Sequence, residues 1–377
     1  MRFTALAVNV YSPPQSAAGG ARVSVTIKDV AKDANVSVAT VSRALNGHGN
    51  VADAVRKRVM QVANQLRYSP HHAARSLSSR RTQTIGVVLP DLYGEFFSEL
   101  MRGIDQVARE RGFHLLVSSY HGNPQEQGNA LRAMRGRVDG LLVMSPYVGS
   151  SDDPGVLDDN LGPTMPSVLM NSDRAASDRP AINVDNHGGA RAMMRHLIDA
   201  GHRRIAFIAG PEDNFDARER LRGYQDAIAR DLPDASPWVL PGDFDEASGH
   251  RAGSVLLASA ARPDAVFAAN DMMALGCLFA LNQAGLQVPR DIAIAGFDDI
   301  PLARYVHPSL TTMRVDIAGL GGRALRMLLD ALIADPAPPP DAHRADAAQT
   351  IAQLVPQLMA RGSSDSSTRQ RSDAGGS

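Results

Sequence analysis

One cysteine, Cys277, stands among 377 residues. A lone thiol cannot build an internal disulfide framework, and such sparse usage fits a reducing, cytoplasmic setting. No apolar run reaches the roughly 18 residues of a membrane-spanning helix, so no membrane partner is expected. Met1 to Ala21 holds only a short apolar run, Ala5 to Val10, ahead of Pro13-Pro14 and Gly19-Gly20. A secretory leader needs a longer apolar core and a clearer cleavage site, so residues 1–22 read as a disordered extension. Catalytic signatures are missing as well. There is no Walker loop, no dinucleotide glycine fingerprint, no Gly-x-Ser-x-Gly elbow and no paired-histidine metal motif. The expectation is therefore no enzyme, no cofactor and no metal. Residues 361–377 are rich in Ser, Asp and Gly and lack leucine. They read as a disordered tail without the heptads that would build a tetramer.

What is present is divided. The length calls for two or three domains, and charge separates them. Residues 22–81 carry eleven Lys/Arg against three Asp, a net of +8, whereas residues 82–377 carry 27 basic and 37 acidic side chains, a net of −10. A basic head on an acidic body is expected when only the head meets nucleic acid. A merely soluble basic helical domain would show the same charge.

The pattern of the head decides between them. Thr26 to Ala34 reads TIKDVAKDA, with Ile27, Val30, Ala31 and Ala34 on one helical face. Thr26 is placed to cap this helix, and Asp29 stands where a carboxylate favours a helix start. Asn35-Val36 breaks the pattern, and Asn tolerates the left-handed backbone of a tight turn. Ser37 would cap a second helix, Val38 to Leu45, with Val41 and Leu45 inward and Asn46-Gly47 ending it. Asp53 opens a third, striped by Val55, Val59, Val62 and Leu66. This is the helix-turn-helix plan.

TIKDVAKDANVSVATVSRALNG, followed by RYSPHHAARSLSSRRTQTIGVV, closely resembles the lactose-repressor/galactose-repressor (LacI/GalR) family, over about Thr26 to Ser363. The resemblance implies a transcriptional regulator whose second helix enters the major groove and reads bases with Val38, Ala39 and Arg43. Val38 and Ala39 offer apolar contact, best matched to a thymine methyl, while Arg43 can pair bidentately with guanine or bind a phosphate. Thr26, Ser37, Thr40, Ser42 and Asn46 look like phosphate-side contacts. Pro70 stops the third helix, and His71 to Ser79 is too short for a stable helix alone. The resemblance makes it a hinge helix that orders on DNA, with Leu77 as a minor-groove wedge and Ala73 and Ala74 packing against a second copy. An ordinary basic linker is the plainer alternative. The domains are then 23–69 for DNA binding, 70–82 for the hinge and 83–360 for the core.

From Thr84 onward short apolar runs alternate with helical patterns. Strand candidates are Ile85–Leu89, His114–Ser118, Gly140–Met144, Val168–Met170, Ile182–Val184, Ile205–Ala209, Ala265–Ala268 and Ile292–Ala295, and a last strand-like run covers Ile351 to Ala360. Helix candidates fall at about 96–111, 125–136, 187–200, 217–230, 246–260, 272–284 and 317–333. Such alternation argues for α/β structure with parallel sheets. The resemblance implies two Rossmann-like lobes of the periplasmic-binding-protein type, with a ligand between them.

Ligands in such sheets sit beyond the carboxyl ends of strands. Residues placed there are Asp91, Phe96, Asn214, Asp216, Arg220, Phe244, Asn270, Asp271 and Asp298. Carboxylates, amides and one arginine around aromatic faces suit a polyhydroxylated ligand. The family's sugar-binding members carry Asn-x-Asp-x-x-x-Arg after a Gly-Pro turn, here Asn214, Asp216 and Arg220 after Gly210-Pro211. Its nucleobase-binding members tend to carry Arg where Asn214 stands. Plainer roles remain open: Phe96 or Phe97 as core, Asp271 as an N-cap, Asp298-Asp299 as a solvated turn, Arg220 as an exposed ion pair. The methionine pairs Met193-Met194 and Met272-Met273, with Cys277, read as helix packing. The expected function is a cytoplasmic, homodimeric repressor of a pseudo-palindromic operator, controlled by a small molecule, most simply a sugar. A nucleobase effector, or a solute-binding protein without a DNA role, are the alternatives.

Overall fold

The computed structural model describes residues 25–45, 50–68, 81–147, 155–162, 164–172, 179–333 and 351–365. They form two compact units that divide between Arg80 and Arg81. Asn46, Ala74, Leu77, the hinge stretch 70–80 and the extension 1–22 lie outside the described residues.

The first unit holds three helices: α1 (Ile27–Asp33), α2 (Val38–Leu45) and α3 (Asp53–Gln65). The Asp29 carboxylate accepts from both the backbone N–H and the hydroxyl of Thr26 at 2.8 Å, closing the start of α1. Asn35 adopts φ +52°, the left-handed turn that its side chain tolerates. Ser37 Oγ accepts from Thr40 N–H at 3.1 Å and starts α2. Val30, Ala34, Val41 and Val59 have no exposed surface and form the core of this unit. Leu45 is only partly buried against it.

The second unit has two six-stranded sheets. In the first lobe the strands run β11-β5-β4-β3-β1-β2, all parallel. They are β1 (Thr84–Leu89), β2 (His114–Ser119), β3 (Gly140–Met144), β4 (Ser167–Met170), β5 (Ala181–Val184) and β11 (Ile351–Leu354). Helices α4 (Glu95–Arg111), α5 (Pro124–Met134), α6 (Gly155–Leu161) and α11 (Ile317–Ile333) belong to this lobe. In the second lobe the order is β12-β10-β9-β8-β6-β7, parallel except for β12. Its strands are β6 (Ile205–Ile208), β7 (Trp238–Leu240), β8 (Ala265–Ala268), β9 (Ala293–Asp298), β10 (Thr311–Arg314) and β12 (Gln357–Met359). Helices α7 (Asn186–Asp199), α8 (Phe215–Asp231), α9 (Glu246–Ala258) and α10 (Asp271–Gln283) complete it. Central strands such as β3, β4, β6 and β8 are buried along their whole length, which is why they read as continuous apolar runs.

The chain passes between the lobes three times, at Val184–Asn186, Arg314–Ile317 and Leu354–Gln357. The third passage corrects one expectation. Ile351 to Ala360 is not one strand but two, in different sheets, because Pro356 has no N–H to extend a ladder. Residues 361–365 of the stretch read as a tail are described and pack on the second lobe. Ser363 and Ser364 are buried, and the Ser363 hydroxyl donates to Ile294 O at 2.6 Å. Thr82, read as the last hinge residue, is bonded to the core: its hydroxyl donates to Asp139 at 2.9 Å, as does the N–H of the next residue, Gln83, at 2.8 Å. No described helix is long and apolar enough to cross a membrane.

Candidate functional sites on a recognition helix and in an interlobe cleft

On α2 the buried side chains are Val41 and Ala44, and the outer face carries Val38, Ala39 and Arg43. Val38 is 41 % exposed although apolar, with no place in the unit's core. The face is short, small-featured and ends in a cation, a shape suited to a major groove. Thr26, Ser37 and Thr40 already have local work at the helix starts, where the Ser37 and Thr40 hydroxyls lie 2.8 Å apart. Ser42 is half-buried on the same helix.

The cleft of the second unit has a volume of about 370 Å³, within the range of small-molecule sites. Eight of the nine residues expected there line it: Asp91, Phe96, Asn214, Asp216, Arg220, Phe244, Asn270 and Asp298. All but Arg220, in the second turn of α8, lie at or just beyond the carboxyl ends of strands or open the helices that follow, as an open parallel sheet dictates.

Asp271 is the exception. It is fully buried and outside the lining. Its Oδ2 accepts from Ile300 N–H at 2.9 Å and its Oδ1 bonds the Thr312 hydroxyl at 2.6 Å, pinning the segment after β9. Nor is it a cap, since Asn270 caps α10 by accepting from Met273 N–H at 2.9 Å. Burial, with Asp298 nearby, pushes the Asp271 carboxyl well above the usual range.

The centre of the cleft is a buried polar network. Arg220, 4 % exposed, donates from Nε to Asn186 Oδ1 at 2.7 Å and from Nη1 to Ala269 O at 2.6 Å. Its Nη2 pairs with Asp298 Oδ1 at 3.2 Å, and its guanidinium sits 4.0 Å above the Phe297 ring. It is therefore no exposed ion pair. Asn186 Nδ2 donates onward to Asp216 Oδ1 at 2.7 Å. Burial pushes the carboxyls of Asp216 and Asp298 up to about 6, against the pull of Arg220. Two buried acceptors here, Asn171 Oδ1 and Asp298 Oδ1, lack a hydrogen-bond donor among the described residues. The ion pair with Arg220 brings charge to Asp298 Oδ1 without hydrogen-bond geometry.

Asp299 points elsewhere. Burial raises its carboxyl, but bonds from Arg314, Arg361 and Arg304 outweigh that and hold it below the usual range. Asp298-Asp299 is thus a buried corner rather than a solvated turn.

Aromatic faces surround the network. Phe96 and Phe97 both line the cleft, edge to face at 5.3 Å, so neither is simply core. Phe244 holds φ +66° while Asn270 Nδ2 donates to its carbonyl at 2.9 Å. Its ring crosses the Gly-Pro turn so closely that a Cβ on Gly210 would lie 2.5 Å from it. Asp91 stands at the exposed rim, accepting from Leu92 and Tyr93 N–H at 2.6 and 3.1 Å. Across the mouth the Tyr93 hydroxyl donates to Glu246 at 3.1 Å, and Glu95 of the first lobe accepts from Leu302 N–H of the second at 2.9 Å.

Sequence reading passed over Tyr93, Tyr147, Asn171, Asp243, Glu246 and Met272, all of which line the cleft. Met272 is therefore not only packing. The strand-end rule applied to β3 and β4 would have found Tyr147 and Asn171. Met193, Met194, Met273 and Cys277 are buried packing residues, and burial pushes the Cys277 thiol up to about 12.

Comparison with known proteins agrees with this architecture. Residues 26–71 match the model of bacterial regulatory proteins of the lacI family, and residues 194–364 match the periplasmic binding protein-like domain. The ribose operon repressor of Escherichia coli K12 is 38% identical over 342 residues, covering 90% of this chain and 99% of that protein. Among solved structures, the lac repressor dimer bound to operator and the anti-inducer ONPF aligns with a TM-score of 0.78 at 28% identity, over 90% of this chain and 99% of that one. A LacI-family regulator from Enterococcus faecium with bound ribose aligns with a TM-score of 0.62 at 26% identity, over 74% of this chain and 98% of that one. The chain belongs to the lacI family of bacterial regulatory proteins, as a DNA-binding transcriptional regulator with a periplasmic-binding-protein-like core.

Proposed function

We propose that this regulator is a cytoplasmic homodimeric repressor whose operator affinity is set by a neutral, unphosphorylated sugar held between the lobes. The observation that carries the reading is the charge and valence of the cleft. Six carboxylates line it (Asp91, Asp216, Asp243, Asp245, Glu246 and Asp298) against one arginine, Arg220, that is already paired. A buried acceptor there, Asn171 Oδ1, has no hydrogen-bond donor among the described residues. A ligand rich in hydroxyl donors and free of negative charge answers both features. A phosphate or carboxylate would meet like charge, at a cost of several kcal/mol. Phe96, Phe97 and Phe244 supply faces for the C–H side of a sugar ring. The Enterococcus faecium neighbour was solved with ribose, which makes D-ribose the first probe.

Val38, Ala39 and Arg43 read the bases, with Thr26, Ser37, Thr40, Ser42 and Asn46 on phosphates, and Ala74 and Leu77 at the minor-groove hinge. Identical heads related by a dyad require a pseudo-palindromic operator. Nothing in the network resembles a nucleophile aligned with a base, so no catalytic step is assigned to it.

The test is calorimetry on the full-length protein with D-ribose, cellobiose, D-ribose 5-phosphate and hypoxanthine, with and without operator DNA. The expected result is binding of a neutral sugar, and binding of the phosphate ester at least about a hundredfold weaker. Tighter binding of the phosphate ester or of the base would overturn the reading.

A further inference from the structure

We infer that Asn186 is a positioning residue: it fixes Arg220 and Asp216 relative to each other and ties both to the peptide that crosses between the lobes. This rests on the cleft being the effector site. Asn186 is not in the lining and is almost fully buried, so no ligand contact accounts for it. Its amide is fully used in one orientation. The oxygen faces the cation Arg220 and the nitrogen faces the carboxylate Asp216, each at 2.7 Å. Reversing the amide would set donor against donor and acceptor against acceptor.

Its location gives the bridge a second meaning. Asn186 is the first residue of α7, two positions after β5 ends, on the first interlobe crossing. Asp185 N–H donates to Leu354 O at 2.8 Å, joining the first crossing to the third. One turn into α7, a Cβ on Gly189 would lie 2.8 Å from the Phe297 ring and 3.0 Å from Pro356, a residue of the third crossing. Phe297 is the ring beneath Arg220. On the second crossing, Val315 N–H donates to Asp298 O at 3.2 Å and Arg314 Nε donates to Asp299 at 2.7 Å.

The first crossing therefore carries a member of the network, the second is bonded to Asp298, and the third is bonded to the first at Asp185. A change in the angle between lobes is a change of backbone torsions at these crossings. Asn186 cannot follow such a change without moving Arg220 and Asp216, and a ligand that holds those two groups restrains the crossing in return. Only such a difference in affinity between lobe angles lets a ligand shift the equilibrium.

The test uses the full-length protein with Asn186→Ala and Asn186→Asp. D-Ribose affinity and ribose-dependent operator release are measured at about pH 8 and about pH 5, either side of the Asp216 titration. In parallel, carbon NMR on aspartate-labelled, ligand-free protein follows the Asp216 carboxyl, assigned with Asp216→Asn. Asn186→Ala should bind D-ribose roughly tenfold to a hundredfold more weakly, as expected for lost bonds to charged groups. Its Asp216 should titrate higher than in the parent, because a donor to the ionised form is gone.

Asn186→Asp keeps the acceptor for Arg220 and sets two carboxyls face to face. They can share a proton on acidification, so its affinity relative to the parent should recover at the lower pH. A packing defect would not recover with pH, and Asn186→Asp decides the matter if Asn186→Ala does not fold. If the parent fails to bind D-ribose, the sugar reading falls and the ligand-free titration decides the role of Asn186 by itself. An unmoved Asp216 titration overturns the inference, as does parental ribose affinity for both variants at both pH values.

Discussion

Arg220 commits its guanidinium to protein groups before any ligand arrives: an amide, a carbonyl, a carboxylate and an aromatic face. It is therefore no free hand for the effector. Removing it leaves Asp216 and Asp298 buried without a counter-charge, and we predict a loss of about 3–5 kcal/mol of core stability, measured by denaturant unfolding. If the effector is the proposed sugar, the same two carboxyls make its binding proton-linked. Each sits at about 6 in the free protein, and hydroxyl donors from the ligand favour the ionised form. Binding near pH 6 should therefore release protons, and affinity should fall as pH drops from 7 towards 5. Calorimetry in buffers of different ionisation enthalpy reads this directly; proton uptake would contradict it. At this scale the strand-end rule made most of the cleft legible from the sequence. It failed for Asp271 because helix phase sends the residue after the Asn270 cap inward, and no local pattern reports that.

Elements position these residues through turns that strain the chain. Asn171 at φ +47°, Phe244 at +66° and Asp298 at +109° all line the cleft. Non-glycine residues are held in such conformations only where their surroundings impose them. The Gly210 turn shows why: only a glycine lets the Phe244 ring lie so close. Gly210→Ala should displace that ring and weaken D-ribose binding while leaving operator binding in the absence of sugar unchanged; unaltered ribose affinity would refute it. In the first unit, Arg43 on the outer face of α2 should be worth about 1–3 kcal/mol in operator binding, and Arg43→Ala should relax one base position per half-site. Selection of sites from random DNA by both proteins tests this, and identical site preferences would assign Arg43 to a phosphate. Long, periodic elements were readable because burial on one face or both writes itself into the sequence. Trp238–Leu240 and Thr311–Arg314 were not, since WVL is only three residues long and TTMR has no apolar run, and the break at Pro356 inside the last strand-like run was missed.

For the whole molecule, two lobes joined by three crossings can change their relative angle only as a unit. A ligand held by Arg220 and Asp216 of one lobe and by Phe96 and Asn171 of the other favours one angle. On the proposed function, lobe angle would set the spacing of paired hinges in a dimer, since the first lobe begins at Arg81, immediately after the stretch proposed as the hinge. Coupling of this kind typically amounts to about 1–3 kcal/mol. The most direct test is operator affinity of the full-length protein at fixed salt, with and without saturating D-ribose, alongside ribose affinity with and without operator. The account predicts a five- to 150-fold loss of operator affinity, about the range of typical allosteric coupling, and a loss of ribose affinity by the same factor when operator is bound. Ribose binding that leaves operator affinity unchanged would contradict it.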